Sequence, residues 1–294
     1  MITNARSGRR RAEALDDAVR DGLARRGVAA DVRLFDDGPG MMAAARSAAA
    51  SGAPIVVAAG GDGTVSAVAQ ALAGGAGRLG VIPLGTFNYF ARGLGLTDDL
   101  DGALDMLAAR RDRPWPIGEV NGRVFVNNAS IGVYPAILKE REDIYRRWGR
   151  SRIAACWSVL TSLARGVRPM RLSLTADGAT RRVRTPLVFV ANNPYQLRMF
   201  DLQDAAAAAE RRLAVFIAPD ASRAQLSRIA VDLAMGRARQ FRDFELIACD
   251  ALTVAPDRPR LTLARDGERE RLSAPLRFRL LPDALRVIAP EQPA

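Results

Sequence analysis

The stretch of this sequence with the clearest chemical signature is Gly60-Gly61-Asp62-Gly63-Thr64. It follows an apolar run over 54–59 and precedes a helical pattern, which predicts a buried strand, a glycine turn and a helix. Glycines let a backbone approach a phosphate closely, and the first N–H groups of a helix point at it. Phosphates alone would repel the carboxylate of Asp62. Its presence therefore indicates that Asp62 binds Mg²⁺ or accepts a proton from a nucleophile. The alternative is a structural turn in which Asp62 caps the helix.

A second stretch, Pro83-Leu84-Gly85-Thr86-Phe87-Asn88, also follows a predicted buried strand, at 79–82. In an open parallel sheet, ligands bind outside the carboxyl ends of the strands. We therefore expect Thr86 and Asn88 to share a crevice with Asp62. The alternative is a structural turn in which Asn88 caps the helix that follows it.

Several kinds of site are excluded by residues that the chain lacks. A P-loop needs Gly-Lys-Ser/Thr, but Lys139 is the only lysine and lies far from both turns. A dinucleotide site needs G-x-G-x-x-G and an acid about 20 residues later, whereas residues 79–90 contain no Asp or Glu. The absence of His removes Ser-His-Asp and Cys-His triads and imidazole metal sites. Cys156 and Cys249 are too few for a thiolate zinc site or a disulfide framework.

The order of strand and helix patterns predicts two domains in the 294 residues. Alternating strands and helices over 1–113 predict an α/β domain with a doubly wound parallel sheet. Short alternating strands over 114–280 predict a mainly β second domain. Pro114-Trp115-Pro116 is the expected hinge, because two prolines bracket an aromatic residue where the period changes.

The composition indicates a folded, basic protein. Hydrophobic residues make up 49% and charged residues 26%, which suits a globular chain with a large core. The net charge of +11 comes almost entirely from Arg and suits binding to phosphates, nucleic acid or an anionic membrane. The alternative is that a GC-rich genome encodes its cationic residues as Arg. The longest apolar stretches are shorter than the roughly 18 residues that a membrane span needs. We therefore expect a cytoplasmic protein.

One segment predicts contact with a membrane surface. Residues 141–171 carry eight arginines, and their apolar residues repeat at helical spacing. The pattern predicts a basic amphipathic helix that docks on anionic lipid through Arg146, Arg147, Arg150 and Arg152. The alternative is a helix that covers the β domain and has a solvated basic face.

The order of the motifs resembles the catalytic domain of the diacylglycerol kinase and sphingosine kinase superfamily, especially its soluble bacterial lipid kinases. Asn4-Ala5-Arg6-Ser7-Gly8 is similar to the N-terminal Asn-Pro-x-x-Gly turn of that family. Further motifs of the family lie, in order, at 60–64, 83–92, 126–132, 263–268 and 282–287. The resemblance extends through nearly the whole chain.

The resemblance implies an ATP- and Mg²⁺-dependent kinase that phosphorylates a hydroxyl of diacylglycerol or a related glycerolipid. It also implies an α/β nucleotide-binding domain and a β-sandwich domain that flank the active-site cleft, with 281–294 returning to the first domain. Glu268 of Asp-Gly-Glu would take the hydroxyl proton, and Asp62 is the alternative base. Mg²⁺ would be held by Asp62 and Glu210. The residues implied to bind ATP are Asn4, Ser7, Gly60, Gly61, Asp62, Gly63, Thr64, Val65, Ser66, Thr86 and Asn88.

Three departures from the family pattern leave alternatives open. Tyr89 replaces a common Asp, Ala5 replaces Pro, and Glu210 stands for the Asp of an Asp-Gly whose Gly is lost. A catalytically weak lipid-binding or regulatory homologue is therefore one alternative. NAD kinase is another, because it shares the Gly-Gly-Asp-Gly-Thr turn. The expected partner is an anionic membrane and not nucleic acid, and a homodimer is left open.

The Asp-Gly-Glu motif also has a purely structural interpretation. Asp266-Gly267 is a strong hairpin signal after an alternating strand, in which case Glu268 would be a solvated charge. The two interpretations are compatible, because a hairpin can carry a catalytic side chain.

Overall fold

A computed structural model of the chain shows two units. Residues Met1–Ile117 and Leu281–Ala294 form the first unit, and Gly118–Leu280 form the second. The structure describes residues 1–4, 9–96, 99–132, 169–198, 212–222, 224–226, 228–229 and 244–290.

Six helices and sixteen strands lie wholly within the described residues. The helices are α1 (Arg9–Arg25), α2 (Gly38–Ala50), α3 (Asp62–Leu72), α4 (Tyr89–Gly93), α5 (Leu100–Ala109) and α6 (Pro194–Arg198). The strands are β1 (Ile2–Asn4), β2 (Arg33–Phe35), β3 (Val56–Gly60), β4 (Arg78–Pro83), β5 (Asp112–Val120), β6 (Arg123–Phe125), β7 (Asn128–Gly132), β8 (Met170–Ala176), β9 (Ala179–Thr185), β10 (Leu187–Ala191), β11 (Leu213–Ile217), β12 (Glu245–Cys249), β13 (Ala251–Pro256), β14 (Arg260–Arg265), β15 (Glu268–Ser273) and β16 (Leu276–Ile288).

The first unit is built on a parallel sheet with the strand order β2-β1-β3-β4-β16. Helices α2 and α3 pack against each other and contact β3. Helices α1 and α5 cover the opposite face, where the core contains Val19, Leu23, Val57, Ala59, Ile82, Leu104, Leu107 and Ile288. Helices on both faces confirm the predicted doubly wound sheet.

Strands β3 and β4 bring the two glycine turns together. All five residues of β3 are buried, as expected for a parallel strand between helices. The two strands pair in parallel, with Gly60 opposite Pro83, so their carboxyl ends lie side by side. The chain leaves β3 into the first glycine turn and leaves β4 into the second.

The second unit contains two antiparallel sheets. One has the strand order β12-β11-β10-β7-β14-β15. In the other, β13 pairs with the first part of β16 and with β8, and β8 pairs with β9. A single core contains residues of both sheets, among them Ile131, Val188, Val215, Leu263, Leu174, Leu252 and Phe278. The mainly β second domain is therefore a sandwich, as predicted.

Two hairpins of this unit turn at an Asp-Gly pair, and the Asp of each pair binds a neighbouring connection. Asp177-Gly178 and Asp266-Gly267 both have positive φ angles, as a tight antiparallel hairpin requires. The carboxylate of Asp177 accepts hydrogen bonds of 3.0 Å from the backbone N–H groups of Asp250 and Ala251. It thereby ties the β8–β9 hairpin to the connection between β12 and β13. Asp266 has the same role on the other sheet.

The residues at which the sequence predicts a hinge lie inside a strand. Pro114, Trp115 and Pro116 belong to β5, and the division between the units follows Ile117. Of the helices that the structure describes, none has the length and apolar character that crossing a membrane requires.

We predict that Gly118→Ala destabilises the second unit. A Cβ at Gly118 would lie 2.1 Å from Cζ of Phe125, whose ring is fully buried and packs edge-to-face on Phe278. Relieving this overlap should cost about 3 kcal/mol of unfolding free energy, measured by urea denaturation. Gly38→Ala is the control, because a Cβ there meets no described atom within 4 Å. Equal midpoints for the two variants would contradict the prediction.

Candidate phosphoryl-transfer site

The first glycine turn touches the second through backbone atoms. A Cβ at Gly85 would lie 2.6 Å from Cα of Gly61, and one at Gly61 would lie 3.2 Å from Cα of Gly85. The N–H of Leu84 also donates to the carbonyl of Gly60 at 3.0 Å. The two turns therefore pack at a distance that side chains would prevent.

The second turn is closed by the side chain of Asn88. Its Oδ1 accepts from the N–H of Gly85 at 2.9 Å, and its Nδ2 donates to the carbonyl of Gly85 at 3.0 Å. Asn88 occupies the N-cap position of α4 but makes no side-chain capping bond. The capping alternative is therefore wrong in its chemistry, because the buried amide bonds back to its own turn. Thr86, between these residues, is exposed.

Asp62 joins the two turns. It lies in the first turn of α3 and is half-buried, and Gly61 is the N-cap residue of that helix. The backbone N–H of Phe90 donates to Oδ1 of Asp62 at 3.1 Å. Phe90 is itself immobilised, because its buried ring packs edge-to-face on Trp115 at 5.9 Å. The carboxylate is thus held at the carboxyl ends of β3 and β4.

The start of α3 has the features of an anion site. The first N–H groups of an α-helix have no carbonyl partner within the helix, and the helix dipole adds positive potential there. Gly63 is exposed at this end. Thr64, Val65 and Ser66 have buried side chains, so they offer a ligand backbone atoms more than side chains. Phosphate oxygens are the ligands that suit such a site.

Tyr89 stands where the family that the sequence resembles commonly has an Asp. Its ring stacks on the ring of Phe87, with centroids 5.4 Å apart and planes 6° from parallel. An aromatic pair thus stands beside the second turn. It offers apolar surface to a ligand and no second carboxylate.

In the second unit, Asp266 is bound by backbone donors. Its Oδ2 accepts from the N–H of Val126 at 2.9 Å, and its Oδ1 accepts from Asn127 and Asn128 at 2.9 and 3.1 Å. Three backbone donors thus fix the positions of both carboxylate oxygens. Asp266 therefore acts as an anchor that holds the β14–β15 hairpin on the residues before β7.

Glu268 follows this anchor directly. It is the first residue of β15, lies opposite Arg265 and is exposed. Arg265 is engaged elsewhere, because it donates to Glu270 and to the carbonyl of Val124, at 2.6 Å each. Glu268 is thus an exposed carboxylate beside a hairpin tip that Asp266 and Arg265 anchor to residues 124–128. The structural and catalytic interpretations of this motif remain compatible.

A cluster of buried asparagines near Asp266 was not predicted. Asn127, Asn128, Asn192 and Asn193 are each 5% exposed or less. Nδ2 of Asn193 donates to Oδ1 of Asn127 at 2.8 Å, and the N–H of Asn192 donates to the carbonyl of Asn127. The sequence contains two Asn-Asn pairs at strand ends, which could have indicated this cluster. Buried amides must be hydrogen-bonded, so two such pairs can satisfy each other.

The structure describes only some of the remaining residues of the predicted site. Asn4 is the last residue of β1. Ser7, Glu210 and the segment with Arg146, Arg147, Arg150 and Arg152 lie outside the described residues.

Two family profiles match the chain. The profile described as "Diacylglycerol kinase catalytic domain" matches residues 1–120. The profile described as "YegS C-terminal NAD kinase beta sandwich-like domain" matches residues 130–289, more than half of the chain.

Similar proteins agree with these profiles. A Pseudomonas aeruginosa protein named "Probable lipid kinase YegS-like" is 47% identical over 87 residues, which are 29% of this chain and 28% of that protein. A Bacillus subtilis diacylglycerol kinase is 46% identical over 92 residues, 30% of each chain. The matched regions thus cover less than a third of the length of each of these two curated relatives.

The solved structures extend the likeness to the whole fold. A structure titled as a diacylglycerol kinase from Bacillus anthracis superposes with a TM-score of 0.70 at 17% identity, over 98% of this chain and 95% of that one. At that identity the likeness concerns the fold alone. With both profiles matched in order, the chain belongs to the diacylglycerol kinase catalytic-domain family and carries its YegS-type C-terminal β-sandwich domain.

Proposed function

We propose that this protein is an ATP- and Mg²⁺-dependent lipid kinase that phosphorylates a hydroxyl of diacylglycerol or a related glycerolipid. The observation that carries the proposal is the pair of packed glycine turns with the Asp62 carboxylate held between them. A turn of this kind ahead of a helix binds phosphates, and the acid adds a place for a cation. The family and the names of the relatives support a lipid acceptor.

The described residues fit a Mg²⁺ ion that is held jointly with phosphate oxygens. No group of three His, Cys, Asp or Glu side chains that could bind a metal occurs in the part of the chain that the structure describes. Mg²⁺ usually needs only one or two carboxylates when substrate phosphates complete its coordination. Asp62 would supply such a carboxylate, and Glu210 stays a prediction. When bound, the ion supplies neutralisation of the phosphate charge.

Glu268 is the proposed proton acceptor. The lipid hydroxyl oxygen forms a bond to the γ-phosphorus of ATP, and the bond from that phosphorus to the bridging oxygen breaks. The hydroxyl proton passes to Glu268, and the products are a phosphorylated lipid and ADP. Asp266 is unsuited to this role because its oxygens already accept three backbone N–H bonds. It is a positioning residue for the hairpin that carries Glu268.

A membrane partner belongs to the same proposal. Diacylglycerol stays in the bilayer, so the enzyme must bind peripherally to reach it. The net charge of +11 supports an anionic surface. A homodimer stays a prediction.

The experiment that tests the function is a transfer assay. The protein is incubated with γ-labelled ATP, Mg²⁺ and diacylglycerol in mixed micelles, and NAD replaces the lipid in a parallel reaction. Labelled phosphatidic acid is the expected product. Transfer to NAD alone would contradict the proposal, and micelle binding without transfer would favour the catalytically weak lipid-binding homologue.

Asp62→Asn should reduce kcat about a thousandfold without unfolding the protein. The amide oxygen can still accept from the N–H of Phe90, so the turn keeps its geometry while the negative charge is lost. Asp99→Asn is the matched control, because Asp99 caps α5 and Asn can replace it there. Turnover within threefold of wild type for Asp62→Asn would contradict the assigned role.

Glu268→Gln should lower kcat and leave the affinity for ATP nearly unchanged, because the amide keeps the shape of the side chain but accepts no proton. Glu245→Gln is the control, because Glu245 is a half-buried glutamate on β12 that pairs with Arg181 and undergoes the same change in chemistry. If Glu268→Gln were fully active while Asp62→Asn was inactive, the role of base would pass to Asp62.

Asp266→Asn should weaken both stability and turnover. Asn has one acceptor oxygen, so its NH₂ group would face a backbone N–H that Asp266 now satisfies. We expect a loss of about 1–3 kcal/mol in unfolding free energy. We also expect a lower kcat with the same pH profile as wild type, since Glu268 is displaced but still present. A change in the pH profile would show that Asp266 itself titrates during turnover.

A further inference from the structure

The sheet formed by β8, β9, β13 and the first part of β16 has one face in the core and one in solvent. Leu172, Leu174, Leu252, Val254 and Phe278 point into the core. Residues that pair directly across an antiparallel sheet share a face. By this rule the opposite face carries Arg171 opposite Arg184, Ser173 opposite Arg182, and Thr253 between Thr175 and Arg277. Arg279, opposite Ala251, completes it.

We call Arg171, Arg182, Arg184, Arg277 and Arg279 the arginine face; all five are exposed. Every other outward residue of these strands is Ser, Thr or Ala, and none is acidic. Two of the arginines have partners from outside the strands, because Arg184 pairs with Asp220 and Arg279 with Glu119. The other three form no ion pair with any residue that the structure describes. The arginine face therefore keeps a net positive charge.

Protection of a sheet edge accounts for only part of this charge. Strand β9 lies at an edge, where charged side chains prevent pairing with other chains. Arg277, however, lies on β16, which is flanked by β13 and β5. Arg171 also lies directly opposite Arg184, an arrangement of like charges that destabilises a sheet. Asp220 offsets the charge of Arg184, but Arg171, Arg182 and Arg277 keep charges that no described residue pairs with, which favours an anionic ligand.

We propose that the arginine face binds the phosphate headgroups of an anionic membrane, a proposal that rests on the proposed function in lipid metabolism. Arginine binds phosphate oxygens in a bidentate fork, and the intervening hydroxyls are additional donors. The face has no aromatic residue on which a nucleic-acid base could stack, and no helix that could enter a groove. Its chemistry therefore suits headgroups better than bases.

The test compares two triple variants with the same change in net charge. The face variant is Arg171→Gln, Arg182→Gln and Arg277→Gln, which leaves both ion pairs of the face intact. The control variant is Arg25→Gln, Arg46→Gln and Arg260→Gln, three exposed arginines elsewhere on the chain. Binding to vesicles of phosphatidylglycerol and phosphatidylcholine is measured by co-sedimentation across a salt series. Vesicles of phosphatidylcholine alone show binding that is independent of charge.

Each arginine near an anionic surface contributes about fivefold in affinity, so the face variant should bind about a hundredfold more weakly. The control variant should stay within about threefold of wild type, and the difference should shrink as salt rises. Equal binding by both variants would overturn the proposal, because only total charge would then matter. A short DNA duplex that displaces the vesicles and binds the face variant poorly would also overturn it, in favour of nucleic acid.

Turnover of a soluble short-chain diacylglycerol separates this proposal from the proposed function. The face variant should retain it within twofold, since none of its three residues belongs to the candidate site. A wild-type protein that binds vesicles through the arginine face but phosphorylates no lipid would refute the kinase activity and leave the surface assignment standing.

Discussion

The candidate site depends on one close contact between two backbones. Gly61 and Gly85 approach so closely that a Cβ on either would enter the space of the other. The contact exists because β3 and β4 are adjacent parallel strands whose carboxyl ends are in register. Without it, the N–H of Phe90 could not reach Asp62, and the carboxylate would not be held over the start of α3. The position of the acid is thus a consequence of sheet geometry.

The second unit solves a similar problem with carboxylates. Connections between strands leave some backbone N–H groups without a partner in the sheet, and each of these groups needs an acceptor. Asp177 and Asp266 supply these acceptors from the tips of two hairpins, one on each sheet. An Asp-Gly pair therefore forms the turn, and its carboxylate also binds that turn to another part of the same sheet. Asp266 thus has a positioning role, whereas the exposed Glu268 beside it is available for chemistry.

Much of the fold could be predicted because the signals are local. The buried run at β3 and the alternating segments at β8, β10, β11 and β14 follow from residue type and period alone. Strand β9 was missed, because an arginine-rich strand with little apolar alternation has no such signal. The alternative in which Asn88 caps the following helix was also wrong, since its sequence context does not show that its amide bonds back to Gly85.

The sequence by itself determined the chemistry that this protein can use. It has no imidazole and no P-loop lysine, two glycine turns follow buried strands, and an Asp-Gly-Glu lies near the end. Only the tertiary structure decided which groups meet. It packed the turn of Gly61 on the turn of Gly85 and bound Asp266 to the residues before β7. It also aligned the arginines of the β8–β9 hairpin with those of β16 on one face. The physical reason is that type and period act over a few residues, whereas these contacts depend on strand order and register between segments far apart in the chain.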